Sequence, residues 1–155
     1  MTSPITATAV APPAEADTAP TRSPRPRQRI AIVEDDPALR ETLAAMLGEC
    51  ADVEIVLSTA VEAEADRWLG EHYADWDVAI VDVFIQAGNG IRLLGAHRHR
   101  PAGRRIAIFT GFATPQARAS CELLGADAVF DKTCDLEALI RYCSADGGLR
   151  PRQAS

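Results

Sequence analysis

The sequence predicts an α/β protein built on a doubly wound, five-stranded parallel sheet, in a (βα)5 pattern. Five short apolar runs alternate with five segments whose apolar residues recur at helical spacing, the alternation that gives a parallel sheet with helices on both sides. The central run, Ala79 to Val81, lacks period-2 alternation, so both of its faces are expected to be buried. Polar residues collect where strands end: Glu34 and Asp35 after the first, Asp82 after the third, Thr110 after the fourth and Lys132 after the fifth.

Taken in order, Arg29 to Val33 (RIAIV) reads as the first strand. Asp36-Pro37 is a helix start, with Asp as N-cap and Pro at the first helical position. Leu39, Leu43, Met46, Leu47 and Cys50 then form one apolar stripe. Val53 to Leu57 is a second strand whose alternation predicts an edge position. Thr59-x-x-Glu62 has the form of a capping box opening the second helix, with Val61, Ala65, Trp68 and Leu69 facing inward. Gln86 to Gly90, rich in Gly and Asn, is a turning loop between the Asp82 strand and a short helix from Ile91 to about Arg98. Arg104 to Phe109 (RRIAIF) makes the fourth strand. Thr114-Pro115 opens a helix through Cys121 and Leu124, which Gly125 terminates. Ala128 to Asp131 is a brief fifth strand. Asp135 is expected to cap the last helix, which carries Leu136, Leu139, Ile140 and Cys143 on one face.

The 155 residues give room for one ordinary domain, since these run to roughly 100–150 residues. Residues 1–28, rich in Ala, Pro, Thr and Ser and without a hydrophobic period, read as a disordered tail. Residues 29–146 form the folded domain and 147–155 a short polar tail. A composition of 47% hydrophobic and 25% charged residues is that of a soluble globular protein. The net charge of −6 argues against nucleic-acid binding as the main task, because that relies on clustered Lys and Arg. Cys50, Cys121, Cys134 and Cys143 have no zinc-type spacing, and three fall on apolar helix faces where free Cys packs as a small hydrophobe. A reduced cytoplasmic setting is the simplest reading. No apolar run approaches the ~18 residues needed to span a bilayer, and with no basic residue before Ile5 to Ala14 and Pro12 and Pro13 within it, no secretory signal is expected there.

In a parallel sheet all the strand-end polar residues share one edge, the edge at which open α/β sheets bind ligands. A lone Asp at a strand end is ordinarily a loop cap. Two or three carboxylates together repel one another and call for a cation. Mg²⁺ suits such a site, being a hard ion that takes a few carboxylate oxygens and keeps several waters. Asp82 is then the candidate nucleophile for phosphorus. Lys132 neutralises phosphate oxygens and the Thr110 hydroxyl donates a hydrogen bond to one.

The segments IVEDD after the first strand, IVDVFIQAGNG around Asp82, FTG at the fourth strand and FDK at the fifth resemble the receiver domain of two-component response regulators, across Arg29 to Asp146. The resemblance implies a flavodoxin-like fold with strand order 2-1-3-4-5. It implies Asp82 as phosphoacceptor, with Asp35, Asp82 and the Phe84 backbone carbonyl as Mg²⁺ ligands and Glu34 as a water-mediated metal contact. Thr110 and Lys132 then serve the phosphate, and Asp36 is left as the helix cap. It also implies a sensor histidine kinase or a histidine phosphotransfer protein as donor. About ten residues follow the last helix, too few for a helix-turn-helix, so a stand-alone receiver signalling through an unidentified downstream protein is expected. Neither direct nucleic-acid contact nor membrane insertion is. Phosphorylation is expected to shift a two-state equilibrium and alter the face formed by the last two helices and the fifth strand. A phosphate sink or relay intermediate is the other use of such a domain.

Three positions depart from the family pattern: Gln86 and Thr133 stand where Pro is usual, and Val129 where an aromatic is usual, with Phe130 beside it. They favour a degenerate receiver acting as a scaffold; the presence of every chemical residue favours phosphate capture. A phosphohydrolase of the haloacid dehalogenase type needs a second Asp two residues after the nucleophile, where Phe84 stands, so the protein is expected to be a phosphoacceptor and not an enzyme acting on external substrates. A flavodoxin-type cofactor site needs a phosphate cradle where Glu34-Asp35-Asp36 would repel phosphate. The basic run His97 to Arg100 reads as a solvated face, Trp68 and Trp76 as packing residues, and Phe112 as a loop-covering residue or an exposed partner contact.

Overall fold

The computed structural model describes residues 27–144. Residues 1–26 and 147–155 of the expected tails therefore lie outside the described residues, whereas Arg27 pairs with Asp52 and Gln28 already opens the first strand. In chain order the elements are β1 (Gln28–Val33), α1 (Pro37–Cys50), β2 (Val53–Thr59), α2 (Glu62–Glu71), β3 (Val78–Val81), β4 (Phe84–Ile85), β5 (Gly88–Asn89), α3 (Gly90–Ala96), β6 (Arg105–Thr110), α4 (Pro115–Leu123), β7 (Ala128–Asp131) and α5 (Leu136–Cys143). Five strands form one parallel sheet in the order β2-β1-β3-β6-β7. Counted among themselves, that is 2-1-3-4-5, the flavodoxin-like order. The strand β2 lies at an edge, as expected.

Successive side chains of a strand point to opposite faces, so the central strands feed two cores. Ala31, Val33, Ala79, Val81, Ile106 and Ile108 pack with Ala65 and Leu69 of α2, Leu93 and Leu94 of α3 and Cys121 of α4. Ile30, Ile32, Val78, Ile80, Ala107 and Phe109 pack with Leu43 and Leu47 of α1 and Leu139, Ile140 and Cys143 of α5. All four residues of β3 are buried, which is why its sequence shows no alternation. Burying each large aliphatic side chain contributes about 2 kcal/mol, so both helical layers are held chiefly by this sheet.

Local signals decide the helix starts in part. The Asp36 carboxylate accepts from the amides of Ala38 and Leu39, and the Thr114 hydroxyl from that of Ala117, each with Pro at the first helical position. Two expected caps are corrected. Thr59 is the last residue of β2, and its hydroxyl donates to Glu64 while accepting from the Val61 amide, so no capping box forms with Glu62. Asp135 makes no side-chain cap; its carboxylate instead accepts from the Asp131 amide and from Arg118. Val61 and Cys50 are exposed, not inward-facing. Trp76 is fully buried and donates to the Leu69 carbonyl, and Trp68 is half-buried.

The basic run is also corrected. His97 is buried between the Tyr73 hydroxyl and Asp66. Arg100, with a side chain 7% exposed, bonds the carbonyls of His97, Arg104 and Gly125 and pairs with Asp127. Arg98 and His99 alone form the solvated part of the run.

At the amino edge of the sheet, Asp77 joins three segments. Its Oδ2 accepts from the Arg29 amide at 2.8 Å and from Arg29 Nε at 3.1 Å, while Oδ1 accepts from Arg104 Nη1 at 2.9 Å. Burial alone would raise its pKa, but the bonds from Arg29 and the charge of Arg104 outweigh it and hold the carboxyl below its usual value. Its stabilisation is therefore complete above the unfolded pKa of about 4 and fades as pH falls through the lower folded value. Asp77→Ala is expected to cost about 2 kcal/mol at neutral pH. In chemical denaturation the gap to the parent protein should close in acid; a gap that stays constant from neutral pH to below about pH 3 would contradict this linkage.

Candidate functional site

Parallel strands put all their carboxyl ends on one edge, and the backbone pairing continues one residue past three of them. The Asp82 amide donates to the Val33 carbonyl, that of Glu34 to Thr59 and that of Lys132 to Thr110, each at 3.0 Å. These bonds fix Glu34, Asp82 and Lys132 as rigid extensions of β1, β3 and β7.

Their side chains meet. Lys132 Nζ lies 2.7 Å from Asp82 Oδ2 and 2.7 Å from Glu34 Oε2. Glu34 and Asp82 are 3% and 5% exposed, so these charges stand in a largely water-excluded site. Glu34, Asp35 and Asp82 each offer an oxygen, all within 4.8 Å of one another. Burial pushes the Glu34 carboxyl up, and its bonds from Lys132 and the Asp36 amide offset only part of that. Burial also opposes the charge on Lys132, but its bonds to Asp82 and Glu34 prevail and hold the ammonium above its usual range.

Three further carboxylate oxygens of the cluster accept from backbone amides. Asp82 Oδ1 accepts from the Phe84 amide at 3.3 Å, Glu34 Oε1 from Asp36 at 3.2 Å and Asp35 Oδ2 from Gln86 at 2.9 Å. Thr110, 1% exposed, accepts from the Phe112 amide at 3.3 Å. The peptide after Lys132 is trans, and Thr133 turns back onto Asp131 through its amide at 2.7 Å and its hydroxyl at 2.6 Å.

The loop expected over Gln86 to Gly90 is a small hairpin in which Phe84 pairs with Asn89 and Ile85 with Gly88. Asn89 caps α3 by accepting from the Ile91 amide at 2.7 Å. The rings of Phe84 and Phe112, 62% and 66% exposed, meet edge to face at 5.3 Å beside the site. Beneath them a cavity of about 200 Å³ is lined by Val83, Ile91, Thr110, Cys121 and Val129 among others.

Three carboxylates against one ammonium leave two negative charges when all are ionised, the charge of one Mg²⁺. The donors are hard oxygens, as that ion prefers. The residues present thus fit a divalent cation.

A doubly wound α/β domain with clustered carboxylates, a hydroxyl and an ammonium at the carboxyl ends of its strands is laid out for phosphate chemistry. The family model described as the response regulator receiver domain matches residues 30–144, and the chain belongs to that family. Receiver domains are phosphoaccepting signalling modules that bind Mg²⁺ at an acidic pocket. No curated protein matches the chain.

Among solved structures, the chain is similar to the signal receiver domain of the putative response regulator NarL from Mycobacterium tuberculosis. That pair shares 19% identity over 80% of this chain and 98% of the other, with a TM-score of 0.70. It is similar to a CheY-like response regulator receiver domain protein from Methanospirillum hungatei, with 26% identity over 74% and 89% and a TM-score of 0.63. It also resembles a chain in the CheX-CheY-BeF3-Mg complex from Borrelia burgdorferi, with 19% identity over 74% and 84% and a TM-score of 0.65.

Among the described residues no helix is long and apolar enough to cross a membrane.

Proposed function

We propose that this receiver accepts a phosphoryl group on Asp82 in a Mg²⁺-dependent reaction and signals through protein contacts. The observation that carries the reading is Lys132 Nζ at 2.7 Å from both Asp82 and Glu34, inside a carboxylate cluster with Asp35. The donor is a phosphohistidine on a sensor histidine kinase or a phosphotransfer protein, acting in the cytoplasm. An Asp82 oxygen attacks phosphorus as the bond from phosphorus to the histidine nitrogen breaks, giving an acyl phosphate and a free imidazole.

Glu34, Asp35, Asp82 and the Phe84 carbonyl are the groups assigned to the ion, Glu34 through water; bound Mg²⁺ supplies charge compensation for phosphoryl oxygens. Lys132 gives up its bond to the Asp82 carboxylate and pairs with the phosphoryl group. The Thr110 hydroxyl turns toward a phosphoryl oxygen and draws its loop with it. Output then runs through the face of α4, β7 and α5 to a downstream protein. The solved CheY complex from Borrelia burgdorferi, which contains BeF3 and Mg, is consistent with this reading.

Titrating Mg²⁺ and beryllofluoride while following the backbone amides of Gln86 and Thr110 by NMR tests the proposal. Mg²⁺ alone is expected to shift Gln86, whose amide bonds Asp35, and beryllofluoride to shift Thr110 only when Mg²⁺ is present. No shift on either addition, in a folded protein, would instead favour a phosphorylation-independent scaffold. Lys132→Ala should keep Mg²⁺ binding yet weaken beryllofluoride binding by about a hundredfold, since it removes a fixed charge aimed at the phosphoryl oxygens. Equal weakening of both ligands would assign Lys132 a merely structural part.

A further inference from the structure

Glu62 matches a capping-box position in sequence, yet its side chain is spent elsewhere. Its Oε2 accepts from the Asn89 amide at 2.7 Å, and Oε1 lies 3.7 Å from Arg92 Nε. Its own amide donates to the Ala87 carbonyl at 3.1 Å, and Val61 bridges to Ala87. The Glu62 side chain is 12% exposed. It rests against Gly88, where a built Cβ would stand 2.3 Å from Glu62 Cβ and 2.2 Å from Oε2, at a backbone φ of +133°. Only glycine lets the hairpin approach so closely.

The opposite edge of the same hairpin supplies the amides of Phe84 and Gln86 to Asp82 and Asp35. Phe84 pairs directly with Asn89, the residue whose amide Glu62 holds. The hairpin is therefore gripped at one side by Glu62 and at the other by two carboxylates of the acidic cluster.

We infer that Glu62 is a positioning residue for the phosphoacceptor site: it clamps the Phe84–Asn89 hairpin so that the Phe84 and Gln86 amides orient the carboxylates of Asp82 and Asp35. The inference rests on the proposed Mg²⁺-dependent function of those carboxylates. Groups that orient metal-binding carboxylates commonly change metal affinity by 10–100-fold when removed. The carboxylate bond to Asn89 is charge-assisted and points at backbone, so its effect reaches the cluster through one short, paired strand.

The test compares Mg²⁺ titrations of the parent protein, Glu62→Ala, Glu62→Asp and Glu62→Gln, together with amide hydrogen exchange at Asn89 and Gln86 without metal. Glu62→Ala should weaken Mg²⁺ binding about tenfold and speed exchange at both amides. Glu62→Asp, one methylene too short, should do the same and carries the test if the Ala variant does not fold. Glu62→Gln, which keeps an acceptor oxygen, should stay within about twofold of the parent. Parent-like affinity and exchange in the Ala and Asp variants would overturn the clamp, as would a Gln variant as impaired as Ala. If the parent binds no Mg²⁺, the proposed function fails, whereas the exchange comparison still decides whether Glu62 holds the hairpin.

Discussion

Asp82→Asn is expected to reduce labelling by acetyl phosphate to background in a chain that still folds. Asn fills the same volume at the end of β3, and Glu34 remains to pair with Lys132 at 2.7 Å. What is lost is the nucleophile: an amide oxygen does not form the acyl phosphate that a carboxylate does. The neighbouring carboxylates are poor substitutes. Glu34 is 3% exposed, with Oε1 on the Asp36 amide and Oε2 on Lys132, and Asp35 is tied through Oδ2 to the Gln86 amide. Phosphate incorporation measured by intact mass should fall to none, and full incorporation in the variant would place the acceptor elsewhere.

Gly90→Ala carries the second large effect. Gly90 is the first residue of α3, a position Ala ordinarily takes without strain. Here a Cβ would stand 2.0 Å from the Asp82 carbonyl oxygen and 2.9 Å from Val83 Cα. Both are backbone atoms at the end of a buried strand, so no side chain can turn aside to make room. The substitution is expected to cost about 3 kcal/mol and to displace the peptide that carries the acceptor. Gly95, in the same helix with nothing within 4 Å of its built Cβ, is the matched control. Gly95→Ala should be neutral or stabilising by up to about 1 kcal/mol. Denaturant midpoints and acetyl phosphate labelling of the two variants check the contrast; equal stabilities would mean that the close approach is absent.

Much of this was legible in the sequence because it is periodic or sits at a fixed point of an element. The unalternating run Ala79 to Val81 marked the buried central strand, and β2 lies at the edge expected for it. Asp36-Pro37 and Thr114-Pro115 carried their caps within three residues. Glu34, Asp35, Asp82, Thr110 and Lys132 could be grouped because parallel topology alone sends strand ends to one edge.

What escaped reading depended on partners distant in sequence. Thr59-x-x-Glu62 has the spacing of a capping box, but Thr59 stays in β2 and Glu62 turns to a hairpin amide at position 89. Arg100 looks like a solvated charge until the carbonyls at 104 and 125 and the carboxylate of Asp127 close around it. Gln86 to Gly90 announced a turn, yet not that the Gln86 amide would hold Asp35 and the flank at Gly88 would rest on Glu62. No local pattern encodes such contacts. The glycines at 88 and 90 were the nearest thing to a signal, since each marks a place where another chain segment comes too close for a side chain.

The most direct measurement is to treat the protein with acetyl phosphate and Mg²⁺, reduce it with borohydride, and map the product by peptide mass spectrometry. An aspartyl phosphate is converted to homoserine by this treatment. The account predicts conversion at Asp82 alone, and only when Mg²⁺ is present. Conversion at Asp35 instead, or none in a protein shown to be folded, would contradict it.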